Sequence, residues 1–187
     1  LNSDLDNSGT IAGRNIVNLS ANNLNNSGNI VGQQIALQAD KDINITGGIV
    51  NAQNTLSVVA GNDLNVTTTT QTTNQHDRTF DTQRTSIERV AGLYVSAPAG
   101  QMLLAAGKDI TLTGADIASG SAIVSAGNHL TLNTMTTGHS ESMQADAKNY
   151  RKQSNTQEVG TNINTVGNLS LQAQGSVAVT AGNLNRD

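Results

Sequence analysis

An all-β chain wound into a parallel β-helix of about 20 residues per coil is what this sequence predicts. Three observations predict it: one short motif returns at a fixed spacing, apolar and polar residues alternate inside each copy, and the composition is unlike that of an ordinary globular enzyme. The motif is apolar, any, apolar, any, Ala, a turn of two or three residues, then apolar, any, apolar. It reads Val17-Asn18-Leu19-Ser20-Ala21-Asn22-Asn23-Leu24 and returns as Ile35-Ala36-Leu37-Gln38-Ala39-Asp40-Lys41-Asp42-Ile43. Further copies begin at Leu56, Met102, Ala122 and Leu169, with a partial one at Val179-Thr180-Ala181-Gly182-Asn183-Leu184. The apolar residue after the turn serves as a ruler. It falls at Leu5, Leu24, Ile43, Leu64, Ile110, Leu130 and Val177, so the spacings are 19, 19, 21, 46, 20 and 47. Two of them are one unit plus roughly 26 extra residues.

Within each copy the period is two, which is the period of a strand. Ile43-Asn44-Ile45-Thr46, Leu64-Asn65-Val66-Thr67, Ile110-Thr111-Leu112-Thr113 and Leu130-Thr131-Leu132-Asn133 put apolar side chains on one face and Asn or Thr on the other. Gly, Asn and Asp break these strands, and such residues tolerate the left-handed backbone of a tight corner. A second corner is marked by Ser8-Gly9, Ser27-Gly28, Gly47-Gly48 and Gly114-Ala115. Three short strands and three corners per unit are expected. Successive units would stack about 4.8 Å apart, and seven or eight would give a rod roughly 35 Å long.

The composition fits. The 187 residues include 24 Asn, 22 Thr and 18 Gly, with one Pro, no Cys and no Trp. A narrow interior admits Val, Ile, Leu and Ala, and the outside can carry stacked Asn and Thr ladders. Proline is rare because each backbone N–H is needed along the stack. A net charge of −4 argues against nucleic-acid binding. No apolar run is long enough for a membrane-spanning helix. The missing cysteines exclude a disulfide scaffold. Neither end carries a polar capping unit, so residues 1–187 are expected to be one segment of a longer rod.

The extra residues lie at about 67–92 and 134–160. Both share an order: a Thr-rich entry, a His, mixed charge with one aromatic, then Glu and Val. They hold 12 of the 24 charged residues. Thr-rich entries favour extended structure, so two long hairpins are expected on one side of the rod, with a short helical turn over residues 146–152 as the alternative. They serve either as recognition surface or as solvated hairpins that cover the rod or pair with each other. The candidate recognition residues are His76, Arg78, Phe80, Arg84, Arg89, His139, Tyr150, Arg151 and Lys152.

No chemistry of catalysis is assembled. Asp42, Asp63 and Asp109 occupy one repeat slot that His129 and Ser176 fill elsewhere. A slot shared by Asp, His and Ser reads as a turn position with a local backbone bond rather than a catalytic or calcium site. His76, His129 and His139 lack zinc spacing. The chain is therefore expected not to be an enzyme and to take no cofactor, metal or small-molecule substrate.

The units Ala60-Gly61-Asn62-Asp63-Leu64-Asn65-Val66, Ala106-Gly107-Lys108-Asp109-Ile110-Thr111-Leu112 and Ala126-Gly127-Asn128-His129-Leu130-Thr131-Leu132 resemble the hemagglutinin repeats of filamentous hemagglutinin-like exoproteins. Their combination with Thr-rich, His-containing insertions and the run Asp81-Thr82-Gln83-Arg84-Thr85-Ser86-Ile87-Glu88-Arg89 is most similar to the second such region of contact-dependent growth inhibition toxins. The resemblance implies a right-handed coil and two-partner secretion through an outer-membrane transporter. It implies a place on the surface of a Gram-negative cell, a toxic domain C-terminal to this segment, and contact with the target cell's outer membrane. The stalk of an adhesin that binds host cells is the alternative, since adhesins share these repeats.

Overall fold

The computed structural model describes residues 3–144, 148–180 and 182–186. It is all-β, with parallel strands stacked in seven rungs. The first rung holds β1 (Leu5–Asn7), β2 (Thr10–Ala12) and β3 (Ile16–Ala21). The second holds β4 (Leu24–Asn26) and β5 (Asn29–Ala39), and the third β6 (Ile43–Thr46) and β7 (Ile49–Ala60). In the fourth, β8 (Leu64–Thr67) leads into a hairpin, β9 (Thr69–Asp77) and β10 (Phe80–Arg89), before β11 (Gly92–Val95) and β12 (Gln101–Ala106). The fifth has β13 (Ile110–Thr113), β14 (Asp116–Ser119) and β15 (Ser121–Ala126). In the sixth, β16 (Leu130–Asn133) precedes a second hairpin, β17 (Met135–Gln144) and β18 (Tyr150–Val159), then β19 (Asn162–Thr165) and β20 (Leu169–Ala173). The seventh has β21 (Val177–Val179) and β22 (Asn183–Arg186).

The ruler residues stand in one column. Leu5, Leu24, Ile43, Leu64, Ile110, Leu130 and Val177 are successive partners in a seven-stranded parallel sheet. Ile11, Ile30, Val50, Leu93, Ile117, Ile163 and Leu184 form a second column. Leu19, Leu37, Val58, Leu104, Val124 and Leu171 form a third. Middle members of all three are fully buried, so the core is one apolar strip along the stack. In the seventh rung Val177, Val179 and Leu184 are 47%, 44% and 42% exposed, because among the described residues no further rung lies over them.

Outward-facing side chains bond along the same axis. The amide of Asn25 donates to Asp6 (2.7 Å), that of Asn44 to Asn25 (2.9 Å) and that of Asn65 to Asn44 (3.0 Å). Stacking equal residues lets each carboxamide donate one way and accept the other, which satisfies both of its ends.

Three expectations need correction. The corner between the second and third strands is absent as a break in rungs two and three, where β5 and β7 bend through it continuously and curl the sheet. Residues 150–152 lie in β18 and not in a helical turn, because they complete the antiparallel pairing with β17. Asp146 and Ala181, invoked in the sequence reading, lie outside the described residues. The third correction concerns glycine. Among the described residues, positive φ at glycine occurs only at Gly47 (61°) and Gly114 (57°), at the corner where rungs three and five carry no hairpin. The Ala-Gly corners need glycine for space instead. A Cβ on Gly61, Gly107 or Gly127 would lie 2.1 Å from the carbonyl oxygen of Asp40, Gly61 or Gly107 in the rung before.

Candidate functional site

The Asp slot is a ladder of acceptors that runs the length of the stack. The N–H of Asn23 donates to the carboxylate of Asp4 (3.0 Å), that of Asp42 to the Asn23 side-chain oxygen (3.4 Å), and that of Asp63 to Asp42 (3.2 Å). The pattern continues from Asp109 N–H to Asp63 (3.1 Å), from His129 N–H to Asp109 (2.9 Å), and from Ser176 N–H to Nδ1 of His129 (3.1 Å). The slot therefore wants a side-chain acceptor, which Asp, Asn and neutral His all supply. The bond reaches the next rung, and the local bond expected from the sequence is not what holds this corner. The side chains of Asn23 and Asn22 hold the Asp4 carboxyl below its ordinary range. Among the described residues no group of three or more His, Asp or Glu is placed to hold a metal ion.

The two hairpins leave the same corner two rungs apart and merge. Strand β10 pairs antiparallel with β17, which makes one four-stranded sheet in the order β18, β17, β10, β9. Two buried hydroxyls anchor their bases. The Thr68 hydroxyl accepts from Ala91 N–H (2.9 Å) and donates to the Gly114 carbonyl (2.6 Å). The Thr161 hydroxyl donates to the Leu112 carbonyl (2.9 Å), with the Asn133 carbonyl 3.1 Å away. Gly47 and Gly114 keep the unhairpinned rungs low at this corner. A Cβ on Gly114 would lie 2.8 Å from Sδ of Met135, at the base of the second hairpin.

Cross-strand register sorts the sequence-chosen residues. Arg84 of β10 stands opposite His139 of β17. Nε2 of His139 lies 3.6 Å from the Glu141 carboxylate, and Arg151 lies 3.5 Å from the other oxygen of that carboxylate. One face therefore collects Arg84, His139 and Arg151 around Glu141, because residues two apart on a strand share a face. On the other face His76 bonds Asp81, and Ser142 and Lys152 continue the row. The hydrogen bond to Asp81, helped by its charge, raises the His76 pKa. Phe80 opposes Met143 near the tip, and Tyr150 is 75% exposed there. Arg78 sits in the turn of the first hairpin. Arg89 sits at its base against Gly47, remote from the tip.

The sheet offers hydroxyls and amides rather than an enclosed pocket. Gly138 leaves a gap between Thr85 and Thr156, the heart of a depression of about 240 Å³. The opposite face carries an open groove of about 610 Å³ beside Arg84, Thr137, His139 and Asn155. Such surfaces suit polar, extended contacts.

Sequence reasoning missed Tyr94. Its ring lies over Gly92, where a Cβ would be 2.4 Å from the ring, and its hydroxyl donates to Asp116 (3.0 Å). Asp116 also accepts from the Asn162 amide (2.9 Å), so three rungs are joined. Only three aromatics occur in the chain, and that rarity was the available signal. Burial, then the bond to and the charge of Asp116, push the Tyr94 phenol up to about 12. A raised folded value means that the linked stability is full below about pH 10 and is lost as pH rises through about 12. Ultraviolet titration should show a late phenol near pH 12 that is absent in Tyr94→Phe. A single early transition in both proteins would contradict the geometry.

Stacked rungs in register, satisfied corner ladders and hairpins inserted at one corner are the setting for the comparison with known families. Residues 15–97 match the family model of the hemagglutinin repeat. No curated protein and no solved structure matches the chain significantly. The hemagglutinin-repeat match takes in most of the first four rungs and the whole first hairpin, under half of the chain. It supports a filamentous hemagglutinin-type structural or adhesin segment, and hemagglutinin-repeat proteins are typically secreted surface filaments.

Proposed function

We propose that this chain is a structural and delivery segment of a contact-dependent growth inhibition toxin. In this reading the rungs form a right-handed parallel β-helix within a longer filament, exported by a two-partner-secretion transporter to the surface of a Gram-negative cell. The rod extends reach, and the fused hairpin sheet engages the outer membrane of the target bacterium. No reaction is catalysed and no cofactor is used. The observation that carries the reading is the hairpin sheet, built from two insertions that leave one corner of a repetitive rod and present Phe80, Met143, Tyr150, Arg151 and Lys152 towards its tip. Apolar and cationic side chains together suit an anionic envelope surface.

The test is binding of the purified chain to outer-membrane vesicles and to mammalian cells. Residues 68–91 and 134–161 are each replaced by the Gly-Ala corner that rung five uses at Gly114-Ala115. The intact chain is expected to bind the vesicles, and the shortened chain to lose that binding while keeping its β signal in circular dichroism. Equal binding by both chains would overturn the role of the sheet. Binding to mammalian cells alone would favour the adhesin stalk.

A further inference from the structure

Strand β18 ends the hairpin sheet, and among the described residues no strand lies beyond it. It pairs with β17 through ten consecutive residues without a register shift. The opposite edge strand, β9, is less regular: its pairing shifts between Ile87 and Arg89, and its first residue packs against Gly47 of the third rung. All of β18 except Val159 is exposed, and it contains no proline. An exposed, regular edge of this length is a template for another strand, and natural edges of this kind are usually blocked. The charged residues of β18 are Arg151, which pairs with Glu141 of β17, Glu158, and Lys152, which among the described residues has no ionic partner.

We propose that the β18 edge pairs antiparallel with β18 of a second copy of this chain, in a twofold dimer centred on Asn155. Facing residues of an antiparallel pair point their N–H groups the same way, both towards the partner or both away. A strand paired with its own copy must therefore face residues of the same parity, and the axis passes through a residue. Two axes give nearly full overlap, at Ser154 and at Asn155. Centring on Ser154 sets Lys152 opposite Thr156 and Tyr150 opposite Glu158. Centring on Asn155 sets Lys152 opposite Glu158 twice, Gln153 opposite Gln157, and Ser154 opposite Thr156. Opposite charges directly across a strand pair are favourable, so electrostatics selects Asn155.

Glu158 supplies the anion for this contact. The Thr136 hydroxyl donates to it at 2.6 Å, and the bonds from Thr134 and Thr136 hold its carboxyl below its ordinary range. The bulk of each molecule stays clear. The base of β18, at Val159, joins the rod, and Tyr150 lies at the free end. Centred on Asn155, the pairing sets Val159 opposite Arg151 of the other copy, so the two rods lie at opposite ends of an eight-stranded sheet with their β18 bases about 27 Å apart along the strand. The contact is isologous and closes at two copies. It would link neighbouring filaments sideways, by a surface separate from the rod ends.

The chain has no cysteine, so single-cysteine variants report the register directly. Asn155→Cys would put its thiol and its copy across the axis, at a spacing a disulfide can bridge. Gln153→Cys, on the same face, would face Gln157 of the other copy and lie four residues from its own counterpart. Mild oxidation is expected to cross-link Asn155→Cys at least tenfold faster than Gln153→Cys. In sedimentation velocity the unmodified chain should show a monomer–dimer equilibrium. Lys152→Glu should weaken it at least tenfold, and Lys152→Glu with Glu158→Lys should restore it. A chain that stays monomeric at several hundred micromolar would overturn the proposal. So would equal cross-linking at the two positions, or an assembly that Lys152→Glu leaves unchanged, which would point to end-on stacking of the rods.

Discussion

Ile110→Ala is expected to lower the unfolding free energy by about 2–5 kcal/mol, the range for truncating a buried aliphatic side chain in a core that cannot collapse around the gap. Ile110 is fully buried and stands between Leu64 and Leu130 in the ruler column. Those neighbours sit on strands held by backbone bonds on both sides, such as Leu64 N–H to the Asp109 carbonyl and Ile110 N–H to the His129 carbonyl, each 2.9 Å. The cavity would therefore persist. Val177 occupies the same column at the last rung and is 47% exposed. Val177→Ala should cost about 1 kcal/mol or less, since little apolar area returns to water. Urea denaturation of both variants measures the contrast. Equal losses would mean that the column is not the shared core.

Gly107→Ala is expected to cost at least about 1–3 kcal/mol, the usual penalty for overpacking an interior. The added methyl would lie 2.1 Å from the carbonyl oxygen of Gly61, which is backbone and has rungs on either side. Neither rung can move away without breaking its own ladder. Gly9 is the internal control. It lies at a corner of the first rung with nothing within 4 Å of an added Cβ, and its φ is not positive. Gly9→Ala should be neutral or slightly stabilising, by up to about 1 kcal/mol, through the unfolded chain. Thermal melts of the two variants separate the readings. A loss at Gly9 as large as that at Gly107 would place the requirement for glycine in backbone conformation and not in space.

The repeat itself was legible because Leu24, Ile43 and Leu64 recur at one interval in one chemical context. The Asn25–Asn44–Asn65 ladder was legible for the same reason. The role of Asp42, Asp63 and Asp109 was only half legible. Their type announced a corner, but the N–H that each one accepts belongs to a residue 20 to 46 positions later in the chain. Tyr94 was hidden because an isolated aromatic inside a repeat reads as one more outward position. Its contact with Asp116 comes from the rung above.

Composition and period by themselves determined the stacked rungs, the inward apolar columns, the outward polar ladders and the positions of both insertions. In a stack about one axis, residues one period apart are neighbours in space, so a pattern along the chain is already a pattern of contacts. The merging of the hairpins was decided only by the tertiary structure. His139 meets Arg84, and Phe80 meets Met143, because two insertions of different sequence leave the same corner two rungs apart and bond edge to edge. That pairing depends on the direction in which each hairpin leaves the rod, which is set by buried Thr68 and Thr161 and by the low glycine corners between them, and no local sequence period encodes it.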